Sequence, residues 1–310
     1  MKIGTVSDAG KGRLVVAVSD ATVMFVRDLW PEGPQDMLEA IGLIPELDRR
    51  IQRCAPDVPV CAVDSLHWLP PVPRPGKVVC LALNNSANKD RIIRGPAHPA
   101  MFTKPASSLL GHGQPIRLRK DYGRVHPEPE LAVVIGRGGA DIEARNAYDH
   151  VFGYTIINDL TSPTMRADDT FHYRAIHPKP DDPSRIEYID TWVSYPGRYK
   201  GADGFGPIGP WIVTRDEIAD PHALIVRCLH QGRVVTEDST LNLSYKIPEV
   251  IEFLSHFMTL EAGDIIAMGT ALKSAGGGQA VQTVDLNTLG GPIAVSISGI
   301  GVLSNPVVHR

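Results

Sequence analysis

The segment Leu69-Pro70-Pro71-Val72-Pro73-Arg74-Pro75-Gly76 places four prolines within six residues. Proline fixes φ and lacks a backbone donor, so this stretch is neither a helix nor a central strand. It reads as a linker between a small N-terminal α+β domain over residues 1–69 and a larger domain over 70–310. In the first, residues 14–18 and 21–26 are β-rich runs around a Ser19-Asp20 turn. Residues 34–41 and 46–53 read as short helices.

Beyond the linker, apolar strand-like runs recur at 77–83, 131–135, 152–157, 211–214, 224–228, 265–268 and 293–298. Twenty-nine glycines and 26 prolines against 6% aromatics predict many turns and short elements. The one strong helix spans 248–258. There Ile247, Val250, Ile251, Leu254, Phe257 and Met258 share a face, with Pro248 in the first turn. Strands and helices do not alternate regularly, so the class is mainly β with some α (α+β), not a doubly wound parallel sheet. Hydrophobic residues at 43% and charged residues at 21% exclude a disordered chain. No run of 18 apolar residues and no apolar leader occurs, which predicts a cytoplasmic protein with no membrane partner. A net charge of −4 argues against nucleic acid as a partner. Cys54, Cys61, Cys80 and Cys228 form no C-x-x-C pair and read as reduced, packed thiols.

The sharpest chemical feature is His126-Pro127-Glu128-Pro129-Glu130-Leu131-Ala132-Val133-Val134-Ile135-Gly136. Residues two apart on a strand share a face, so Glu128 and Glu130 point the same way at the mouth of an apolar strand. A second run, 152–157, ends in Asn158-Asp159. Three carboxylates brought together repel unless neutralised. A hard divalent cation with oxygen ligands is the natural neutraliser, and a solvated strand end is the alternative.

Several motifs in chain order resemble the fumarylacetoacetate hydrolase family. They include the segment 71–77 leading into Leu83-Asn84, Phe102-Thr103-Lys104-Pro105 with Ser107-Ser108, and the Glu-x-Glu-Leu-x-Val-Val-Ile-Gly run at 128–136. Further on are Gly153-Tyr154-Thr155 with Asn158-Asp159, Lys200 with Asp203, and Gly206-Pro207-Ile208-Gly209-Pro210-Trp211. Gly263-Asp264-Ile265-Ile266, Met268-Gly269-Thr270 and the C-terminal run 299–305 complete the match over about residues 70–306. The resemblance implies a mixed β-sandwich roll and a homodimer. It implies one divalent cation, Mg²⁺ first and Mn²⁺ or Ca²⁺ next, on Glu128, Glu130 and Asp159. It also implies a small 2-oxo or 2,4-dioxo acid substrate, handled through a metal-stabilised enolate, in a setting such as aromatic catabolism. Lys200 would act on substrate oxygens or assist proton transfer. Thr270, Gly269 and Lys104 would bind substrate.

The chain departs from that pattern in two places. Hydrolytic members carry a water-activating His-x-x-Glu pair, but those positions hold Asn88 and Arg91, neither of which is a general base. Asp90 and His172 are the substitute candidates, with His98 and His112 behind them, while His126, close to Glu128 in the chain, reads as a supporting partner of that carboxylate. The polar stretch 84–100 reads as a mobile lid. After Asp159 the usual Arg-Asp is missing, and an insertion over 167–199 follows. C–C bond hydrolysis of an acylpyruvate-like acid is the leading expectation. A decarboxylase, tautomerase or dehydratase of an oxo-acid is the alternative, and a non-catalytic oxo-acid binder is a third.

Overall fold

The computed structural model describes residues 1–54, 58–272 and 280–310. Short β-branched runs closed by Gly and Pro form strands rather than long helices. In chain order these are β1 (Lys2–Asp8), β2 (Lys11–Ala17), β3 (Thr22–Phe25), β4 (Val78–Ala82), β5 (Ala100–Thr103), β6 (Pro129–Ile135), β7 (Val151–Asn158), β8 (Thr170–Pro178), β9 (Ile186–Ser194), β10 (Gly206–Thr214), β11 (Ile225–His230), β12 (Arg233–Ser239), β13 (Ile265–Ala267), β14 (Ile293–Ile297) and β15 (Gly301–Asn305). Strands of two or three residues flank them.

The main sheet runs β3-β2-β1-β10-β7-β6-β13-β4-β5. Along this path it is antiparallel except where β13 meets β4. A second, antiparallel sheet runs β12-β11-β14-β15. The expected mainly-β architecture with some helix is therefore present. β6 lies near the centre of the main sheet and is buried on both faces. Leu131, Val133 and Ile135 join Val226, Val295 and Leu303 of the second sheet in one apolar cluster. Ala132 and Val134 point the other way, into a cluster with Ile3, Met37, Ala40 and Leu47. The two-residue period of a strand thus gives β6 two cores and aims Glu130 along the Ala132–Val134 face.

Residues 1–69 and 70–310 share this main sheet. β1 pairs with β2 on one edge and β10 on the other, in the register Ile3↔Ile212. Trp68 sits edge-on to Trp211 at 5.9 Å, and the Thr5 hydroxyl donates to the Pro71 carbonyl at 2.7 Å. Pro71 and Val72 are buried, so the proline-rich segment packs against the sheet instead of hanging free. It divides the chain in sequence but not in the sheet.

The two short helices expected over 34–53 are a single helix, α1 (Met37–Cys54), which runs through Pro45. Asp36 starts it by accepting from the Glu39 N–H at 3.0 Å. The later helix, α2 (Ile247–Ser255), ends three residues earlier than expected, leaving Phe257 exposed. Glu249 closes its first turn by accepting from the Lys246 N–H at 2.7 Å. No helix among the described residues is long and apolar enough to cross a membrane.

Candidate active site

The β6–β7 pairing builds the site. Antiparallel register sets Pro129 opposite Asn158 and Glu130 opposite Ile157. The residue before β6 and the residue after β7 are therefore neighbours. The Glu128 N–H donates to Asn158 Oδ1 at 2.8 Å, and the Asp159 N–H donates to the Glu128 carbonyl at 2.9 Å. As a result one oxygen from each of Glu128, Glu130 and Asp159 lies within 4.8 Å of the others. Glu130 and Asp159 are buried, and Glu128 is partly open.

Two buried lysines meet this cluster. Lys200 Nζ donates to Glu128 Oε2 and Asp159 Oδ2, both at 2.6 Å. Lys104 Nζ donates to Asp159 Oδ1 at 2.6 Å and also reaches the Lys200 carbonyl. Phe102 on β5 lies 5.0 Å from the Lys200 ammonium, ring face toward charge. Neutral donors complete the shell. The Thr270 hydroxyl reaches Glu130 Oε1 at 3.1 Å and Glu128 Oε2 at 3.3 Å. The Gly269 N–H donates to Glu130 Oε2 at 2.8 Å, and the Thr161 hydroxyl to Glu128 Oε1 at 2.8 Å. His126 stands 3.8 Å from Glu128.

Three carboxylates facing two ammoniums leave one negative charge over. Burial, Asp159 and Glu128 together push the Glu130 carboxyl well above the usual range. Burial acts the same way on Asp159, but Lys104 and Lys200 outweigh it and hold that carboxyl below the usual range. Burial works to lower Lys200, yet Asp159 and Glu128 overcome it and keep the ammonium above the usual lysine range. A buried, all-oxygen donor set with surplus negative charge suits a hard divalent cation.

The other predicted residues take different places. Gly269 and Thr270 touch the carboxylates Glu128 and Glu130, and Lys104 touches Asp159, so in this structure all three support the acidic cluster. Asn88, Asp90 and Arg91 lie in a 3₁₀ turn (Ser86–Arg91), with Asn88 buried and Asp90 exposed. Arg91 Nη1 donates to Asn88 Oδ1 at 3.3 Å. His172 is on β8, its ring stacked on Trp192 at 4.0 Å between centroids. His98 stacks on Phe253, and His112 meets Trp68 edge-on.

Asp238 carries no motif, yet it is buried and ties two site segments together. Its carboxylate accepts from Asn85 Nδ2 and the Leu272 N–H, each at 2.9 Å. Asn85 Nδ2 also reaches the Thr270 carbonyl at 3.2 Å. Nothing in the local sequence distinguishes Asp238 or Thr161 from other polar residues, because their partners lie far away in the chain.

The family model for the C-terminal domain of fumarylacetoacetate (FAA) hydrolase matches residues 77–308. The oxaloacetate tautomerase YisK of Bacillus subtilis (strain 168) is 33% identical over 245 residues, covering 76% of this chain and 71% of that protein. A mitochondrial oxaloacetate tautomerase of Bos taurus is 32% identical over 255 residues, covering 82% and 73%. Among solved structures, maleylpyruvate hydrolase from Sphingobium sp. SYK-6, in complex with manganese(II) and pyruvate, superposes with a TM-score of 0.74. Its identity is 26%, and the match covers 100% of this chain and 99% of that one. With the carboxylate pair, the following aspartate and the lysine all in place, this chain is an enzyme of the fumarylacetoacetate hydrolase family.

Proposed function

We propose that the protein is a divalent-metal-dependent keto–enol tautomerase of a small 2-oxo dicarboxylic acid. The observation that carries this reading is a full carboxylate–lysine site beside a turn that holds Asn88 and Arg91 in place of a water-activating pair. The names of relatives at 32–33% identity support the reaction class and point to an oxaloacetate-like substrate. Tautomerisation moves a proton between oxygen and carbon and breaks no C–C bond, so it needs no activated water.

Glu128, Glu130 and Asp159 would hold the cation, which supplies Lewis-acid charge beside the enolate oxygen. Lys200 adds a fixed positive charge at the open side of Glu128. Lys104 fixes the rotamer of Asp159, and Gly269 and Thr161 fix those of Glu130 and Glu128. The Thr270 hydroxyl is free to turn from the carboxylates to a substrate carboxylate. Asp90, exposed between Asn88 and Arg91, is the proton carrier this reading assigns. His172 has its ring face occupied by Trp192 and is not assigned one.

Likeness to maleylpyruvate hydrolase along the whole chain favours acylpyruvate hydrolysis as a second reading. Following oxaloacetate enol decay by absorbance, beside acylpyruvate cleavage, with Mn²⁺, with Mg²⁺ and with chelator, separates the two. The expected result is metal-dependent enol–keto exchange. Acylpyruvate cleavage should be weaker than in dyad-bearing relatives by about 10²–10⁴-fold, the usual contribution of a general base. Asn88→His with Arg91→Glu should raise cleavage. Fast native cleavage with no enol–keto exchange overturns the proposal, and pyruvate release from oxaloacetate would reveal decarboxylation instead.

A further inference from the structure

Three segments meet beside the carboxylate cluster: residues 83–85 leaving β4, residues 269–272 after β13, and the end of β12 in the second sheet. Leu83 has φ +56° and is largely exposed. A leucine rarely takes left-handed backbone, and it persists there only where its surroundings hold it. The next two residues supply that hold. Asn84 Oδ1 accepts from the Tyr245 N–H at 2.7 Å, and its Nδ2 donates to the Met268 carbonyl at 2.8 Å. Asn85 Nδ2 donates to Asp238 Oδ2 at 2.9 Å and to the Thr270 carbonyl at 3.2 Å. Asn85 Oδ1 accepts from the Ala87 N–H at 2.9 Å and so caps the turn Ser86–Arg91.

Asp238 divides its two oxygens between its own strand and the site. Oδ1 accepts from the Ser239 N–H at 2.8 Å and from Asn242 Nδ2 at 2.6 Å, which fixes the carboxylate to the end of β12. Oδ2 accepts from Asn85 Nδ2 and from the Leu272 N–H, each at 2.9 Å. We propose that Asp238 is a positioning residue: through the Asn85 amide and the Leu272 N–H it sets the separation between the turn Ser86–Arg91 and Thr270, and makes the order of each depend on the other. The assignment rests on the tautomerase reading, in which that turn carries Asp90 and Thr270 turns its hydroxyl to the substrate carboxylate.

Four donors converge on two oxygens, and only an ionised carboxylate accepts on both. An asparagine there would set its NH₂ either against Asn85 and Leu272 or against Ser239 and Asn242, donor against donor. Asp238 is buried, so the mismatch is costly. These four partners lie outside the metal-binding carboxylates. Asp238 therefore acts on the chemistry through placement, where an error of about 1 Å costs about 10²-fold.

Kinetics of enol–keto exchange with Mn²⁺ test the assignment in Asp238→Asn, Asn85→Ala and the double variant. Each single change should lower kcat at least tenfold and change KM less, with Mn²⁺ affinity by titration calorimetry within about threefold of the wild type. The double variant should be no slower than the slower single one, because both act through one contact. Effects that multiply, a loss confined to KM, or Mn²⁺ affinity falling in step with kcat overturns the proposal. Hydrogen exchange of the intact protein needs no turnover. In Asp238→Asn the remote Ala87 amide should exchange faster, and in Asn85→Ala the remote Leu272 amide should do so, while β6 keeps its protection. Should Asp238→Asn fail to fold, Asn85→Ala decides alone. If the wild type exchanges no enol with any metal, the tautomerase reading falls, and the exchange pattern still judges Asp238. A remote amide that stays as protected as in the wild type overturns its role.

Discussion

Burial and two neighbouring carboxylates act on Glu130 in one direction, and Lys200 and the Gly269 N–H oppose them. Without metal its charged form is disfavoured, and with metal that same charge is needed. Glu130→Gln should therefore leave the metal-free protein as stable or more stable while weakening cation binding. Mn²⁺ should raise the Tm of the wild type by mass action and should barely move that of the variant. An equal Tm rise in both would show that the cation binds elsewhere. Gly269 shows how narrow the tolerance is: its φ is +99°, and a Cβ there would come within 2.9 Å of Asn84 Cβ. At this scale Glu128, Glu130 and Asp159 were legible in the sequence, because a strand's two-residue period and a strand-end aspartate are local signals. The roles of Lys104, Gly269 and Thr270 were legible only as presence near the site. Which carboxylate each one holds depends on contacts between β5, β6 and the segment after β13. Thr161 and Asp238 gave no local signal at all.

Among the elements, α1 breaks a sequence rule. Pro45 removes one backbone donor and crowds the preceding turn, which is why the sequence reads as two short helices. The structure keeps one helix because Met37, Ala40 and Leu47 are buried on the main sheet on either side of the proline. Glu46 also pairs with Arg49 and Arg50 at 2.9 and 3.0 Å. Tertiary packing overrides local propensity here. Gly42 sits three residues earlier on the exposed face, and a Cβ there would meet nothing within 4 Å. Gly42→Ala should thus stabilise the protein by about 0.5–1 kcal/mol through the unfolded chain's lost freedom. The urea midpoint should rise with an unchanged slope. An unchanged or lower midpoint would mean that α1 is not helical through Gly42 in solution. The β8–β9 ribbon was illegible for the opposite reason. A strand exposed on both faces has no alternation of apolar and polar residues to read, so residues 170–194 looked like an irregular insertion. β6 and β7, buried throughout, and β11 and β14, buried on one face, were all legible as apolar runs. Their order was not, since a parallel neighbour such as β4 beside β13 comes from far earlier in the chain.

For the whole molecule, two histidines at separate points of the fold contribute to how it responds to acid. The Ser304 N–H donates to His112 Nδ1 at 3.1 Å, and the Ile247 N–H donates to His222 Nε2 at 3.4 Å. Both contacts need a neutral imidazole with a free lone pair. Burial holds both rings below the usual histidine range, and Lys246 adds to the effect at His222. In the unfolded chain each ring takes its proton near pH ~6.5. Below that pH the unfolded state binds more protons than the folded one, so stability falls as pH drops toward the lowered folded values. A second loss comes at lower pH. Burial tends to raise Asp238, but hydrogen bonds from Asn242, Ser239, Asn85 and Leu272 outweigh it and keep that carboxyl below its usual range. Its contribution is present above pH ~3.9 and disappears as pH falls through the lowered value. The histidine limb can be removed without removing the acceptors. An Asn Oδ1 stands near where a His Nδ1 stands, and a Gln Oε1 near a His Nε2. In His112→Asn with His222→Gln, the urea midpoint should change less between pH 7.5 and 5.5 than in the wild type, and the midpoint at pH 7.5 should stay close to it. If the double variant keeps the full wild-type slope, these two rings do not set the acid limb and the neutral-acceptor argument fails.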